Sequence, residues 1–135
     1  MSELMPLIRK LELIASSINE IVREEAINLE EFIADLNREQ LMEGKKGDGS
    51  DMPNYAPNSK QPSSPGLITL FDTGDFHESI KPVFEDEGID LVGLDFKTPF
   101  LVAKFGNILD LDSERREKLK ERLLFRVKIR LKELL

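Results

Sequence analysis

Asp72, with Thr73 and Gly74 directly behind it, is the residue of this chain with the clearest catalytic potential. Carboxylates in Asp-Thr-Gly loops perform acid-base hydrolysis when two of them share a proton. This chain has a single such loop, so it could supply the pair only by dimerising. Hydrolases of that type are almost entirely β, whereas the part of the chain before Asp72 has a helical pattern. An aspartic-type hydrolase centred on Asp72 is therefore kept only as an alternative.

Metal binding is the second chemistry to weigh, because Asp72, Asp75, His77 and Glu78 are close in sequence. In an extended segment Asp75 and His77 would share one side, and in a helix Asp75 would pair with Glu78 instead. Neither geometry unites all of these groups, so we expect no metal site and a partly exposed His77. The chain has no cysteine and no P-loop or dinucleotide fingerprint, so no cofactor is expected.

The composition indicates one globular domain. At 135 residues, 40% of them hydrophobic, the chain can form one compact core, and a single domain over residues 1–135 is expected. Its apolar runs are far shorter than the roughly 20 residues that cross a bilayer, and its start does not resemble a signal peptide, so no membrane association is predicted. The net charge of −7 argues against direct nucleic-acid binding.

Charge is unevenly distributed along the chain. Residues 111–135 carry a net charge of +4, which leaves −11 on the remainder. An acidic body with a basic end indicates contacts between like subunits or with a carboxylate-rich partner, although a solvated helix face would have the same composition. The predicted assembly contacts are Tyr55, Arg115, Arg116, Lys120, Arg126 and Arg130.

The first third of the chain has the pattern of helices. Residues 4–42 contain no glycine and repeat apolar residues every three or four positions. Ser17 with Glu20 matches a capping box that would divide this stretch into two helices. Residues 44–66 are rich in Gly, Pro and Ser, and we predict a long mobile loop with too little apolar mass to pack. Its Tyr55, the only tyrosine, is either a partner anchor or packed on its own domain.

The second half of the chain mixes strands and helices. Residues 67–71 are either a strand or the approach to the turn at Gly74, and residues 80–84 and 89–96 predict an antiparallel hairpin. Thr98 is the predicted N-cap of a short helix that ends before Gly106. A long C-terminal helix is predicted from Ser113, capped by that residue or Asp112, with a strand left open over 125–132. The predicted fold class is α+β: one or two N-terminal helices, a long loop, a hairpin, a short helix and a C-terminal helix.

Three segments together resemble bacteriophage tail-completion and head-tail joining proteins. The turn after Leu70 is similar to the family's Thr-Gly-(Leu/Phe)-x-x-Ser-(Ile/Phe) turn. Gln40-Leu41, followed by a glycine-rich loop, resembles the end of the family's first helix, and residues 98–106 are similar to its Tyr-Ala-x-x-Val-Glu-Phe-Gly segment. That last segment departs from the family at Phe100 and Lys104. The residues that form the predicted structural turn are Asp72, Thr73, Gly74, Phe76, Ser79 and Ile80.

The resemblance implies a noncatalytic virion protein at the head-tail interface of a long-tailed phage or prophage. Such a protein is found in the virion and, during assembly, in the cytoplasm of the bacterial host. Its implied partners are further copies of itself in a hexameric ring and other tail or connector proteins. In this setting Asp72 is a turn residue whose carboxylate accepts bonds from nearby backbone N–H groups. The other alternative is a helical protein-protein adaptor of bacterial origin that binds through residues 4–42.

Overall fold

The computed structural model describes residues 4–86 and 88–134. In chain order the elements are α1 (Leu4–Asn28), α2 (Glu30–Met42), α3 (Asp75–Ser79), β1 (Ile80–Glu85), β2 (Gly88–Gly93), α4 (Thr98–Phe105) and α5 (Ser113–Leu134). The two strands form one antiparallel sheet, and the fold class is α+β, as predicted. Within the described residues, no helix has the length and apolar character needed to cross a bilayer.

The chain forms two compact units, and each is described by itself. The helical unit contains the described residues up to Leu29 and from Lys120 onward, and the mixed unit contains residues Glu30–Leu119. A single domain over residues 1–135 stays a prediction, since the compactness of two units does not decide whether they fold together.

In the helical unit, α1 and α5 are joined by an ion cluster around a buried carboxylate. Glu25 is buried on α1, and its Oε1 accepts a bond of 2.8 Å from Arg126 Nε of α5. The Glu25 Oε2 accepts a bond of 3.0 Å from Arg130 Nη1, and the Nη2 atom of Arg130 pairs with Glu24. The bond from Arg126 holds the pKa of the Glu25 carboxyl below its usual range against the opposing effect of burial, and Arg130 lowers it further. Buried Val127 lies beside these residues on α5.

The predicted helix break at Ser17 is wrong. The Oγ atoms of Ser16 and Ser17 both donate to the carbonyl of Leu13, at 2.9 and 2.8 Å, so the serines bond back into α1 and the helix continues. The chain leaves the helix at Leu29 instead, where the backbone N–H bonds to Ala26 O at 3.0 Å. Leu29 is itself buried.

In the mixed unit, distant segments meet in one apolar core. The cluster contains Leu41, Met52, Phe76, Ile80 and Ile108, each at most 4% exposed. The helix α2 packs against β1, and the hairpin register runs from the Ile80–Gly93 pair to the Glu85–Gly88 pair. The antiparallel hairpin is as predicted, but its second strand ends at Gly93 and not at residue 96. The core therefore fastens the end of α2, the 44–66 loop, α3 and the hairpin to one another.

The 44–66 loop is more ordered locally than its composition indicates. Met52 is 1% exposed, and its N–H bonds to Gly44 O at 2.7 Å. The expectation that this stretch has too little apolar mass to pack is therefore wrong at Met52, because one buried side chain suffices to tie it to the core. The mobility of the rest stays a prediction. Of residues 67–71, only Leu67 forms a bridge, with Asn54, so this run approaches the turn without forming a strand.

The helix boundaries in the C-terminal part differ from prediction at one cap. Lys97 is the N-cap of α4, and Thr98 is its first residue, because Asp95 Oδ1 accepts the Lys97 N–H at 2.8 Å and begins the turn one residue earlier. Of the two predicted caps of α5, Asp112 is the one that bonds, with its Oδ1 accepting the Arg115 N–H at 3.0 Å, and Ser113 is the first residue of the helix. The alternative strand over 125–132 is wrong, since α5 is helical there.

Candidate functional site

The predicted structural turn, which begins at Asp72, lies beside a cavity of the mixed unit. The cavity measures about 380 Å³, within the size range of ligand pockets. Its apolar wall comes from Ile68, Leu70, Phe76, Leu101 and Phe105. Four charged residues also line the cavity: two are acidic, Asp72 and Asp75, and two are basic, Lys97 and Lys104.

Gly74 sets the geometry of the turn. Its φ of 93° lies in the left-handed region, which side chains with a Cβ rarely adopt, and it is the N-cap of α3. A Cβ at this position would also lie 3.3 Å from the Phe71 ring. The acceptor inside the turn is Thr73 Oγ1, which takes a bond of 3.4 Å from Asp75 N, and Asp72 is exposed. The expected role of Asp72 as the bonded turn residue therefore falls to Thr73.

His77 is buried, which corrects the expectation of a partly exposed residue. The turn at Gly74 starts a helix, and this helix directs the ring inward, edge-on to Phe71 and Phe76. Its Nε2 lies 2.8 Å from Thr69 O, and because a carbonyl can only accept, Nε2 carries the proton. Burial lowers the pKa of the imidazole below its usual range, although the bond to Thr69 opposes this shift and the charge of Arg38 adds to it. His77 is a structural donor here.

Arg38 connects α2 to the turn. Its Nε donates to His77 O at 2.7 Å and its Nη2 to Ile80 O at 3.0 Å, so the guanidinium satisfies carbonyls at the end of α3. Its Nη1 pairs with Asp35 at 2.9 Å. No local signal in the sequence indicates that the acceptors of Arg38 lie about forty residues further along the chain.

Two buried amides hold the segment that leads into α5. Asn37 and Gln40 are 0% exposed. Asn37 Nδ2 donates to Ile108 O at 3.1 Å and to Asp110 O at 2.9 Å. Gln40 Nε2 donates to the same Asp110 O at 2.8 Å, while its Oε1 accepts the Asp112 N–H at 2.7 Å. Sequence reasoning used Gln40 only for its resemblance and missed this role altogether.

The acidic residues and histidine near the turn do not converge. His77 points to Thr69, Asp72 and Asp75 line the cavity, and Glu78 is exposed. Over residues 4–86 and 88–134, no three His, Asp or Glu side chains lie close enough to hold a metal ion. Asp72 precedes a short helix, which differs from the sheet-supported loop that an aspartic-type hydrolase needs.

The turn residues and the predicted assembly contacts occupy different surroundings. Phe76 and Ile80 are in the core, and Ser79 Oγ donates to Phe76 O at 2.8 Å. Tyr55 is half-buried, and its hydroxyl accepts the Thr69 N–H at 3.2 Å, so it packs on its own unit.

Most of the predicted basic contacts bind carboxylates of the same chain. Arg115 is 2% exposed, and it pairs with Asp112 at 2.7 Å and with Glu43. Arg116 pairs with Asp110 at 2.8 Å. Arg126 and Arg130 hold Glu25 in the helical unit, whereas Lys120 is exposed. The guanidinium groups of these arginines therefore already have carboxylate partners within the chain.

Comparisons of the chain with protein-family models, with curated proteins and with solved structures gave no match.

Proposed function

We propose that this chain is a noncatalytic structural protein of the head-tail interface of a long-tailed phage or prophage. It would form a hexameric ring that completes the tail and contacts the connector. The proposal rests first on the resemblance of three ordered segments to proteins of this type, and the observation that carries it further is where those segments lie.

All three resemblance segments contribute to one core. Leu41 comes from the first, Phe76 and Ile80 from the second, and Leu101 and Phe105 of the third pack against the same cluster. Segments that pack into one core hold one another in position, and a turn between them sets the direction of the element that follows it. Gly74 fulfils that requirement, since its left-handed backbone directs Phe76 into the core and starts the chain toward β1.

The hairpin supplies a surface for ring contacts. The sheet has two strands, so β2 has no strand on its outer side within the described residues. Such an edge can take an added strand from a neighbouring chain. A second cavity of about 400 Å³ adjoins this strand and is lined by Ile89 and Leu91 of β2 together with Ile33 and Leu109. Backbone pairing with side-chain insertion is a contact that can close a ring when every copy repeats it.

The test combines imaging with a turn variant. Negative-stain images of the purified chain should show rings, and a gold-labelled chain should appear at the head-tail junction of particles induced from the source strain. Gly74→Val should abolish rings, because valine at a φ of 93° is strained and contacts Phe71. Gly49→Val is the matched control: φ is 85° there, with no atom within 4 Å of an added Cβ. The proposal fails if the label is absent from particles, or if Gly74→Val assembles as well as the control.

A second candidate function is the helical adaptor, and one observation favours it. Leu7 and Leu11 of α1 are each 52% exposed, which leaves apolar side chains available for a partner helix. An adaptor would remain a monomer alone and would form a complex only with a foreign protein. Mass measurement of the isolated chain separates the two candidates.

A further inference from the structure

Apolar residues follow a heptad pattern along the N-terminal half of α1. Leu4, Leu7, Leu11, Ile14 and Ile18 alternate at spacings of three and four residues, and they are called the α1 seam below. A repeat of 3.5 residues keeps these side chains in one line along a helix, which is the arrangement of the a and d positions of a coiled coil.

The described chain leaves the α1 seam largely uncovered. Leu4 is 53% exposed and Leu11 is 52% exposed, whereas Ile21, the next position of the same repeat, is 4% exposed inside the helical unit. In chain order the α1 seam thus ends at Ile18, and burial within the chain begins at the next position of the repeat, Ile21. A line of half-exposed leucines on a helix is unfavourable in water and is typical of an interaction surface.

We propose that the α1 seam is a self-association surface on which the α1 helices of three or more copies of this chain pack in parallel. The seam lies in the helical unit, outside the turn and hairpin on which the head-tail assignment rests. The proposal stands or falls separately from that assignment.

The residues that flank the seam suit an identical helix. The e positions of the repeat are Ile8 and Ala15, and the g positions are Lys10 and Ser17. In a parallel bundle the g residue of one helix faces the e residue of the next heptad on its neighbour, so Lys10 would face Ala15. No like charges meet when copies pair, and the flanks lack the charge pattern by which heteromeric coiled coils choose a foreign partner.

The composition of the layers indicates more than two copies. The central layers place Leu11 at an a position and Ile14 at a d position, and leucine at a with isoleucine at d favours trimers and tetramers over dimers. Apolar Ile8 and Ala15 beside the seam widen the apolar stripe, which a larger bundle covers better than a pair does. Copies related by one rotation axis present their helices in the same direction, so equivalent layers face each other.

The first test measures the mass of the full chain by sedimentation equilibrium. We expect the wild type to form species of three or more copies below roughly 100 μM. The double variant Leu7→Gln, Leu11→Gln should weaken association at least about a hundredfold, because it removes two apolar layers. Leu13→Gln is the matched control, since Leu13 is 68% exposed on the same helix but off the seam. Circular dichroism should show folded helices in all three proteins.

The second test locates the contact. Because the chain has no cysteine, an engineered one is a unique reporter. Leu11→Cys should give disulfide-linked dimers under mild oxidation, and Leu13→Cys should not. A wild type that stays monomeric at roughly 100 μM overturns the proposal. So does an equal loss of association in Leu13→Gln, wild-type mass in the double variant, or cross-linking that is as fast at position 13 as at position 11. Rings that the double variant Leu7→Gln, Leu11→Gln still forms with the wild-type mass would refute this inference and leave the proposed function intact.

Discussion

Replacing Asn37 by Leu and Gln40 by Met, singly and together, should destabilise the mixed unit more than additively. Both amides donate to the carbonyl of Asp110. Either single variant leaves this carbonyl with one donor, and only the double variant leaves it with none. Each side chain also serves a group that it does not share, since Asn37 donates to Ile108 O and Gln40 accepts from Asp112 N.

The magnitudes follow from which groups each variant leaves unpaired. Gln40→Met leaves the buried Asp112 N–H without an acceptor and loses one of the two bonds to Asp110 O, a cost of about 2–4 kcal/mol. Asn37→Leu leaves Ile108 O without its amide donor, but it also removes a buried amide oxygen that has no partner, so about 1–2 kcal/mol is expected. The double variant should lose a further 1 kcal/mol or so beyond the sum, because Asp110 O then loses its last donor.

The assay is urea denaturation followed by far-ultraviolet circular dichroism, with amide exchange over residues 108–116 as the local readout. The Asp112 amide should lose its protection in Gln40→Met and keep it in Asn37→Leu. A double variant whose loss equals the sum of the single losses, within about 0.4 kcal/mol, would refute the shared carbonyl as the source of coupling.

Three further outcomes follow from the structure. Gly93→Ala should destabilise by about 1–3 kcal/mol in chemical denaturation, because its Cβ would lie 2.6 Å from Thr98 Oγ1, while Gly88→Ala, with open space around it, should be close to neutral. The free energy of unfolding should fall as pH drops below about 6.5, by at most about 1.4 kcal/mol per pH unit, because the buried neutral imidazole of His77 takes up a proton less readily than the same group in the unfolded chain. His77→Gln should flatten this dependence of stability on pH. An unchanged dependence would contradict the buried imidazole. Glu25→Gln should cost stability at pH 7 and progressively less below about pH 4. The pKa of the Glu25 carboxyl is lower in the folded chain than in the unfolded chain, so its charge stabilises the fold above the unfolded-state pKa, and this contribution disappears as pH falls through the folded-state pKa. A cost that is the same at pH 3 in thermal unfolding would show that the charge contributes nothing.

Local sequence signals predicted the elements whose causes are local. The patterns over residues 80–84 and 89–96 predict the hairpin, and Gly88, which is predicted to lie in the turn, is the first residue of β2 and pairs with Glu85. Asp112 caps α5 as its type and position indicate. The break in the first helix was predicted at Ser17, where a capping pattern exists, but a serine hydroxyl can equally bond back within a helix, as it does here. The five-residue helix α3 is too short to have a periodicity and was not predicted.

The polar groups of the site could not be predicted, because their partners are distant in sequence. Gln40 and its acceptor at Asp110 are separated by 70 positions, and Arg38 and the carbonyl of Ile80 by 42. Their residue types look equally suited to a solvated helix face. His77 is buried for the same kind of reason, since the carbonyl that binds it becomes available only after the chain turns at Gly74. The charge pattern predicts Arg115 as an assembly contact, but it contains no sign that this side chain is enclosed by its own chain.

Tyr55 gives the protein an intrinsic optical probe. The chain has one tyrosine and no tryptophan, so excitation at a wavelength too long for its phenylalanines to absorb gives emission from this ring alone. The hydroxyl is bonded to Thr69 in the segment before the turn, and the residue also lines the cavity. Any event that lifts the loop from that segment, or fills the cavity, changes the intensity or lifetime of a single fluorophore. Binding at this end of the molecule can therefore be followed without a label.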